Sequence, residues 1–260
     1  VSQEHTGSSE LARLVWPRVP DAVTVLVPIG STEQHGPHLP FTTDSVIARA
    51  VAARAADHPS LARPHPPLVA PTITYGSSGE HAGFPGTVSI GREALLAVVV
   101  ETVRSLSLWA GRIVFVNGHG GNVPTLDQAV GRLRAEGHDV AWTLCAPPGS
   151  DAHAGRAETS VMLHLVPDEV RVEAATAGDT RPLAEIMPEL IAHGVRAVSP
   201  NGVLGDPTGA SAEEGAALLD AMVASAVRRI ARFRVDARGR LTEETPTAAG
   251  TPTAEGTPEE

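Results

Sequence analysis

Two short polar segments carry the residue types that bind cations. The first is Glu33-Gln34-His35-Gly36-Pro37-His38, with Asp44 shortly after it. The second is Asn117-Gly118-His119-Gly120-Gly121-Asn122, and two further candidates follow at His153 and Glu158. Imidazole nitrogen and carboxylate oxygen are the usual ligands of zinc, manganese and iron(II). Sets rich in both commonly hold two ions. Each group also has an ordinary explanation. Glu33 and His35 can serve a turn, and Asp44 can cap a helix. His119 can sit in a tight glycine turn, and Glu158 in a first helical turn can answer the helix dipole. The functional reading gains weight because the groups recur behind successive apolar runs.

Several chemistries are excluded. The chain has no lysine, which removes Schiff-base catalysis, Walker-type phosphate binding and Ser-Lys hydrolysis. Its one cysteine, Cys145, forms neither an intrachain disulfide nor a cysteine zinc site. The spacing G-x-G-x-x-G fails at Val123, and Gly76-Ser77-Ser78-Gly79 does not fit a serine-hydrolase elbow. His38 and His81 are expected in supporting or surface positions, and His58, His65 and His138 on the surface.

The elements that position these groups read as alternating strands and helices. Strands are expected at Val23–Ile29, Leu68–Thr74, Ile113–Val116 and Val140–Cys145, with a short one at Thr87–Ile90. Helices are expected at Ser45–Ala56, Glu93–Trp109, Pro124–Glu136, Glu158–Val166, Ala184–Ala192 and Ala212–Phe233. This alternation predicts an α/β fold: a three-layer α/β/α sandwich on a mostly parallel sheet. Ligands of such sheets bind beyond the carboxyl ends of the strands, where the loops after Ile29, Val116 and Cys145 would lie.

The chain has 260 residues, enough for one large core. Residues 1–235 are expected to form a single domain. Residues 236–260 are expected to be a disordered acidic tail, since from Thr242 on the chain contains only Thr, Pro, Ala, Gly and Glu. The net charge of −10 argues against a nucleic-acid partner. No apolar run reaches the roughly 20 residues of a membrane helix. With no secretory pattern at Val1-Ser2-Gln3-Glu4-His5, the cytoplasm is the expected compartment.

Gly30-Ser31-Thr32-Glu33-Gln34-His35-Gly36-Pro37-His38-Leu39-Pro40 with Asp44 resembles the signature of the creatininase family. Gly79-Glu80-His81-Ala82-Gly83-Phe84-Pro85-Gly86-Thr87, the loop around His119, and His153-Ala154-Gly155 with Glu158-Thr159-Ser160 resemble its other motifs. Within the family the chain looks most like the mycofactocin-associated branch, on stretches such as Tyr75-Gly76-Ser77-Ser78-Gly79-Glu80-His81 and Val198-Ser199-Pro200-Asn201-Gly202. That resemblance implies a metal-dependent peptidase. Its substrate would be a modified precursor peptide that loses a C-terminal Val-Tyr dipeptide. Hydrolysis of a small cyclic amide or formamide is the alternative within the family. The resemblance also implies a homo-oligomer, a hexamer or larger, and two divalent ions per subunit (Zn2+, Fe2+ or Mn2+). Glu33, Asp44 and His119 would hold one ion, and His35, Asp44 and a further carboxylate the other. Creatininase proper has a glutamate two positions after the histidine of the third motif, where this chain has Gly121. Glu158 is the candidate replacement. His153 is then expected as general acid–base, Asn122 as an oxyanion donor, and Arg156 as a weaker candidate for the peptide carboxylate.

Overall fold

Three apolar runs of four to six residues become adjacent parallel strands, because only a sheet covered on both faces can bury chain that is apolar on both sides. The computed structural model describes residues 9–147 and 150–243. In chain order the elements are β1 (Thr24–Ile29), α1 (Thr43–Ala56), β2 (Leu68–Val69), α2 (Gly91–Leu106), β3 (Arg112–Asn117), α3 (Val123–Ala135), β4 (Val140–Leu144), α4 (Arg156–Leu165), α5 (Leu183–His193), α6 (Val195–Val198) and α7 (Ala212–Arg232). The sheet order is β2-β1-β3-β4, and every pairing is parallel.

Alternation along the strands divides the core into two halves. Val25, Val27 and Ile29 of β1 pack with Phe115, Trp142 and the inner residues of α2 and α3, such as Leu95, Val99 and Leu126. Leu26 faces the other way, with Val114, Val116 and Ala141, onto α1, α4 and α7 through Ile47, Val51, Met162 and Leu219. The result is the three-layer α/β/α sandwich expected from the sequence. Its register also places the functional loops. Ile29 pairs with Asn117, and Asn117 with Leu144, so β1, β3 and β4 end abreast. The three following loops therefore leave one edge of the sheet together.

Four local expectations change. The strand expected over Leu68–Thr74 is only two residues long and continues as a bridge at Ile73. Pro71, between them, has no N–H to offer the ladder. The expected strand Thr87–Ile90 is a single bridge between Val88 and Thr32. Asp44 is not the cap of α1. That position is Thr42, and Asp44 sits inside the first turn. Residues 236–243, expected in the tail, fold back onto β4: Trp142 N–H donates to the Gly239 carbonyl at 3.0 Å, and Leu241 N–H to the Trp142 carbonyl at 2.8 Å. Leu241 is 1% exposed. The rest of that expected tail, from residue 244, lies outside the described residues.

Candidate metal centre

The loop after β1 turns back on itself at Gly36, which has a left-handed φ of 66° that suits a residue without Cβ. The Gln34 side-chain carbonyl accepts the Gly36 N–H at 2.9 Å and fixes the turn. This leaves Glu33 and His35 fully buried behind the end of β1, with Asp44 brought over them by the first turn of α1. The loop after β3 contributes His119, held by a pair of bonds with Asn117: the His119 N–H donates to Asn117 Oδ1 at 3.2 Å, and Asn117 Nδ2 donates to the His119 carbonyl at 2.7 Å. The loop after β4 contributes His153, paired with Leu204 in a bridge, and leads into α4, where Glu158 lies in the first turn.

Three histidines follow one pattern. Each ties one ring nitrogen to a backbone carbonyl, which can only accept, and turns the other toward a carboxylate. His35 Nδ1 donates to the Glu33 carbonyl at 3.1 Å, and its Nε2 faces Asp44 Oδ1 at 3.2 Å. His119 Nε2 donates to the Ser77 carbonyl at 3.1 Å, and its Nδ1 faces Asp44 Oδ2 at 3.3 Å. His153 Nε2 donates to the Gln34 carbonyl at 2.8 Å, and its Nδ1 faces Glu33 Oε1 at 3.8 Å. Anchoring the far nitrogen in this way is how proteins orient histidine ligands.

The carboxylates complete the cluster. Glu33 Oε2 accepts from Ser31 at 2.8 Å and lies 3.3 Å from His119 Nε2. Glu158 accepts the Ala154 N–H at 2.6 Å and stands 3.9 Å from His35 Nε2. Three ligand sets result, each with its atoms within 4.8 Å of one another: Glu33, Asp44 and His119; His35, Asp44 and Glu158; and Glu33, His35 and His153. Asp44 belongs to two of them.

Charge reinforces the geometry. Burial opposes a charge on His35, but Asp44 outweighs it and lifts the imidazole to about 9. Burial likewise opposes a charge on His119, and Glu33 and Asp44 raise it well above the ordinary range. Burial pushes Glu33 up, but His119, His81 and His153 hold it well below the usual carboxylate range. Burial moves Glu158 up to about 7 and His81 down to about 4. His153 is lowered well below 6.5 by burial and by the neighbouring His35 and His81. Burial pushes the Cys145 thiol up to about 12, which disfavours the thiolate.

Two buried oxygens of this cluster, Glu33 Oε1 and Asp44 Oδ2, have no hydrogen-bond partner among the described residues. Leaving buried carboxylate oxygens unsatisfied is costly, and bound cations would satisfy them. The donor set of nitrogen and oxygen suits zinc, manganese or iron(II). The residues present therefore fit a metal centre. A cleft of about 550 Å3 opens beside it, lined by Glu158, Leu144, Cys145, Leu204, Asp179 and Arg181.

All five expected ligands, Glu33, His35, Asp44, His119 and Glu158, thus converge, and His153 stands with them. Asn122 has its amide engaged by other loops. Its Nδ2 donates to the Gly30 carbonyl at 2.9 Å and to Asn117 Oδ1 at 3.2 Å, while its Oδ1 accepts the Ser77 N–H at 2.9 Å. Both amide hydrogens are committed, so Asn122 joins three loops and has none left for an oxyanion. Arg156 is also engaged, in a two-oxygen ion pair with Glu214. His81 and His38 are buried supports: His81 Nδ1 accepts from Gln34 Nε2 at 2.9 Å, and His38 Nε2 is 2.9 Å from Thr159 Oγ1. Sequence reasoning missed Gln34, Ser31 and Glu80 as parts of the site. Glu80 Oε1 lies 3.5 Å from His119 Nε2, and burial raises its carboxyl.

The family profile described as creatinine amidohydrolase matches residues 12–230. The chain belongs to the creatininase family. It is 54% identical to the mycofactocin precursor peptide peptidase of Mycolicibacterium smegmatis over 84% of this chain and 88% of that protein. It is 51% identical to the protein of the same name from Mycobacterium ulcerans, over 91% of this chain and 94% of that one. A solved mutant creatininase described as of the Zn-Zn type superposes with a TM-score of 0.70 at 26% identity, covering 88% of this chain and 99% of the other. The fold expectation and the family resemblance are borne out.

Proposed function

We propose that the protein is a two-cation peptidase that hydrolyses a modified mycofactocin precursor peptide and frees its C-terminal Val-Tyr dipeptide. One observation carries the chemistry: Asp44 directs one oxygen at each of two anchored histidines and so joins two ligand sets. The substrate rests on the similarity to mycofactocin precursor peptide peptidases along nearly their whole length. The same family resemblance favours a homo-oligomer, which the exposed Trp16, Leu108 and Ile191 are consistent with.

Glu33, Asp44 and His119 would hold one cation, and His35, Asp44 and Glu158 the other. When bound, such a pair polarises an amide carbonyl and lowers the pKa of water from 15.7 toward about 7. The protein's own groups do the rest. His153 stays neutral, with its Nε2 proton given to the Gln34 carbonyl and its Nδ1 lone pair turned to the cluster. It can take a proton there and return it to the departing amine. Packing of its ring between the tilted rings of His35 and His81, at 4.3 and 4.5 Å between centroids, limits its rotation. Glu158 lies on the boundary between cluster and cleft, where a peptide enters.

The test is to load purified protein with zinc, manganese or iron(II) and assay a Val-Tyr-ended precursor peptide beside creatinine. Dipeptide release read by mass spectrometry supports the proposal. Turnover of creatinine with the peptide intact would overturn it.

A further inference from the structure

The space beside Gly121 is occupied by a carboxylate supplied by another loop. A Cβ built on Gly121 would lie 2.5 Å from Glu80 Oε1 and 2.5 Å from the Ser77 carbonyl oxygen, and closer still to His119 Nε2. A side chain at 121 would collide with the His119 ring and the Ser77 backbone as well as crowd the Glu80 carboxylate. Glu80 sits in the single turn Gly79–His81. Its Oε1 is 3.5 Å from His119 Nε2, and among the described residues His119 is its only partner within ion-pair range. The Ser77 carbonyl meets the same nitrogen at 3.1 Å. The opposite edge of the ring faces Asp44 Oδ2, which lacks a hydrogen-bond partner.

We propose that Glu80 is a positioning residue for His119, admitted by the missing side chain at Gly121. It faces the Nε2 edge together with the Ser77 carbonyl and Glu33 Oε2, at 3.1 and 3.3 Å, and helps keep Nδ1 directed at Asp44 for cation binding. A histidine whose far N–H faces a carboxylate is a better oriented and more basic ligand, and removing such a partner typically weakens metal affinity about 10–100-fold. The inference rests on the metal-centre reading and says which cation Glu80 affects: the one His119 holds.

The experiment titrates zinc chloride against a competing chelator into the full chain and its Glu80→Ala, Glu80→Gln and Glu80→Asp variants, with thermal unfolding of each metal-free protein. The expected result is an unchanged metal-free midpoint and unchanged stoichiometry. One of the two zinc-binding steps weakens about 10–100-fold in Glu80→Ala, weakens also in Glu80→Gln, and recovers in part in Glu80→Asp. Wild-type constants for both steps in all three variants would overturn the role of Glu80 while leaving the metal centre intact. Equal weakening of both steps with a lowered midpoint would overturn it as well, by showing a general structural role. A wild-type chain that binds no zinc would overturn the metal-centre reading, and this inference with it.

Discussion

Asp44 Oδ2 and His119 Nδ1 face each other across 3.3 Å, and the buried oxygen has no hydrogen-bond partner. The other Asp44 oxygen meets His35 at 3.2 Å. One small side chain therefore spans both halves of the cluster. Asp44→Asn keeps the shape but removes the charge, and should empty both cation positions together. We expect metal analysis to find neither ion and kcat/KM to fall at least about 1000-fold, a loss of roughly 4 kcal/mol of transition-state stabilisation. A fully loaded Asp44→Asn protein would contradict the shared position.

His153 stands in one of the three ligand sets but is assigned to proton transfer, and the two roles separate experimentally. His153→Ala should keep both cations while turnover drops about 100- to 10,000-fold, the usual range for a lost general acid–base. Parallel loss of an ion and of turnover would make His153 a ligand.

The charge on His35 gives the metal-free protein a pH signature. Its imidazole is raised from 6.5 to about 9 in the folded chain. A raised pKa stabilises the fold fully below the unfolded value, and that contribution disappears as pH climbs through the folded one. The thermal midpoint of chelator-treated protein should therefore decline between about pH 6.5 and 9. Zinc-loaded protein should not show this decline, because the cation replaces the proton, and loading at neutral pH should release protons to the buffer. A metal-free midpoint that is flat over this window would argue that His35 is neutral there.

Asn122 ties together the loops that contain Gly30, Ser77 and Asn117. Asn122→Ala leaves buried partners unsatisfied, and we expect a stability loss of about 1–3 kcal/mol in denaturant unfolding. Intact stability with abolished turnover would return Asn122 to a role at the reacting carbonyl.

Leu241 fills a socket beside β4 that residues 236–243 close. Leu241→Ala should cost about 2–5 kcal/mol, as for other buried leucines. An unchanged midpoint would mean that this segment packs only loosely.

Much of this architecture was legible in the sequence because its strands are buried on both faces. The runs ending at Ile29, Val116 and Leu144 are apolar but for Thr24, Arg112 and Thr143, and no competing period obscures them. Glu33, His35 and Asp44 were legible for a different reason, since they crowd one loop. Glu158 was less certain, because an acidic residue in a first helical turn has an ordinary explanation in the helix dipole. Spacing could not reveal Glu80. It meets His119 only because two loops cross over Gly121, and that juxtaposition has no local pattern. Asn122 misled for the complementary reason. An asparagine beside a catalytic loop looks like a free donor until its neighbours are seen to take both hydrogens.

Strand ends that finish level with one another have a consequence for biogenesis. The grip on the ions draws on three separate stretches of chain, the last of them at Glu158, so a ribosome must have issued more than half of the protein before both cages can exist. Occupation of the position that needs Glu158 should therefore follow assembly of the sheet. Supplementing the growth medium should rescue variants whose only defect is a poor ligand, and should do nothing for those in which β1 and β3 fail to align.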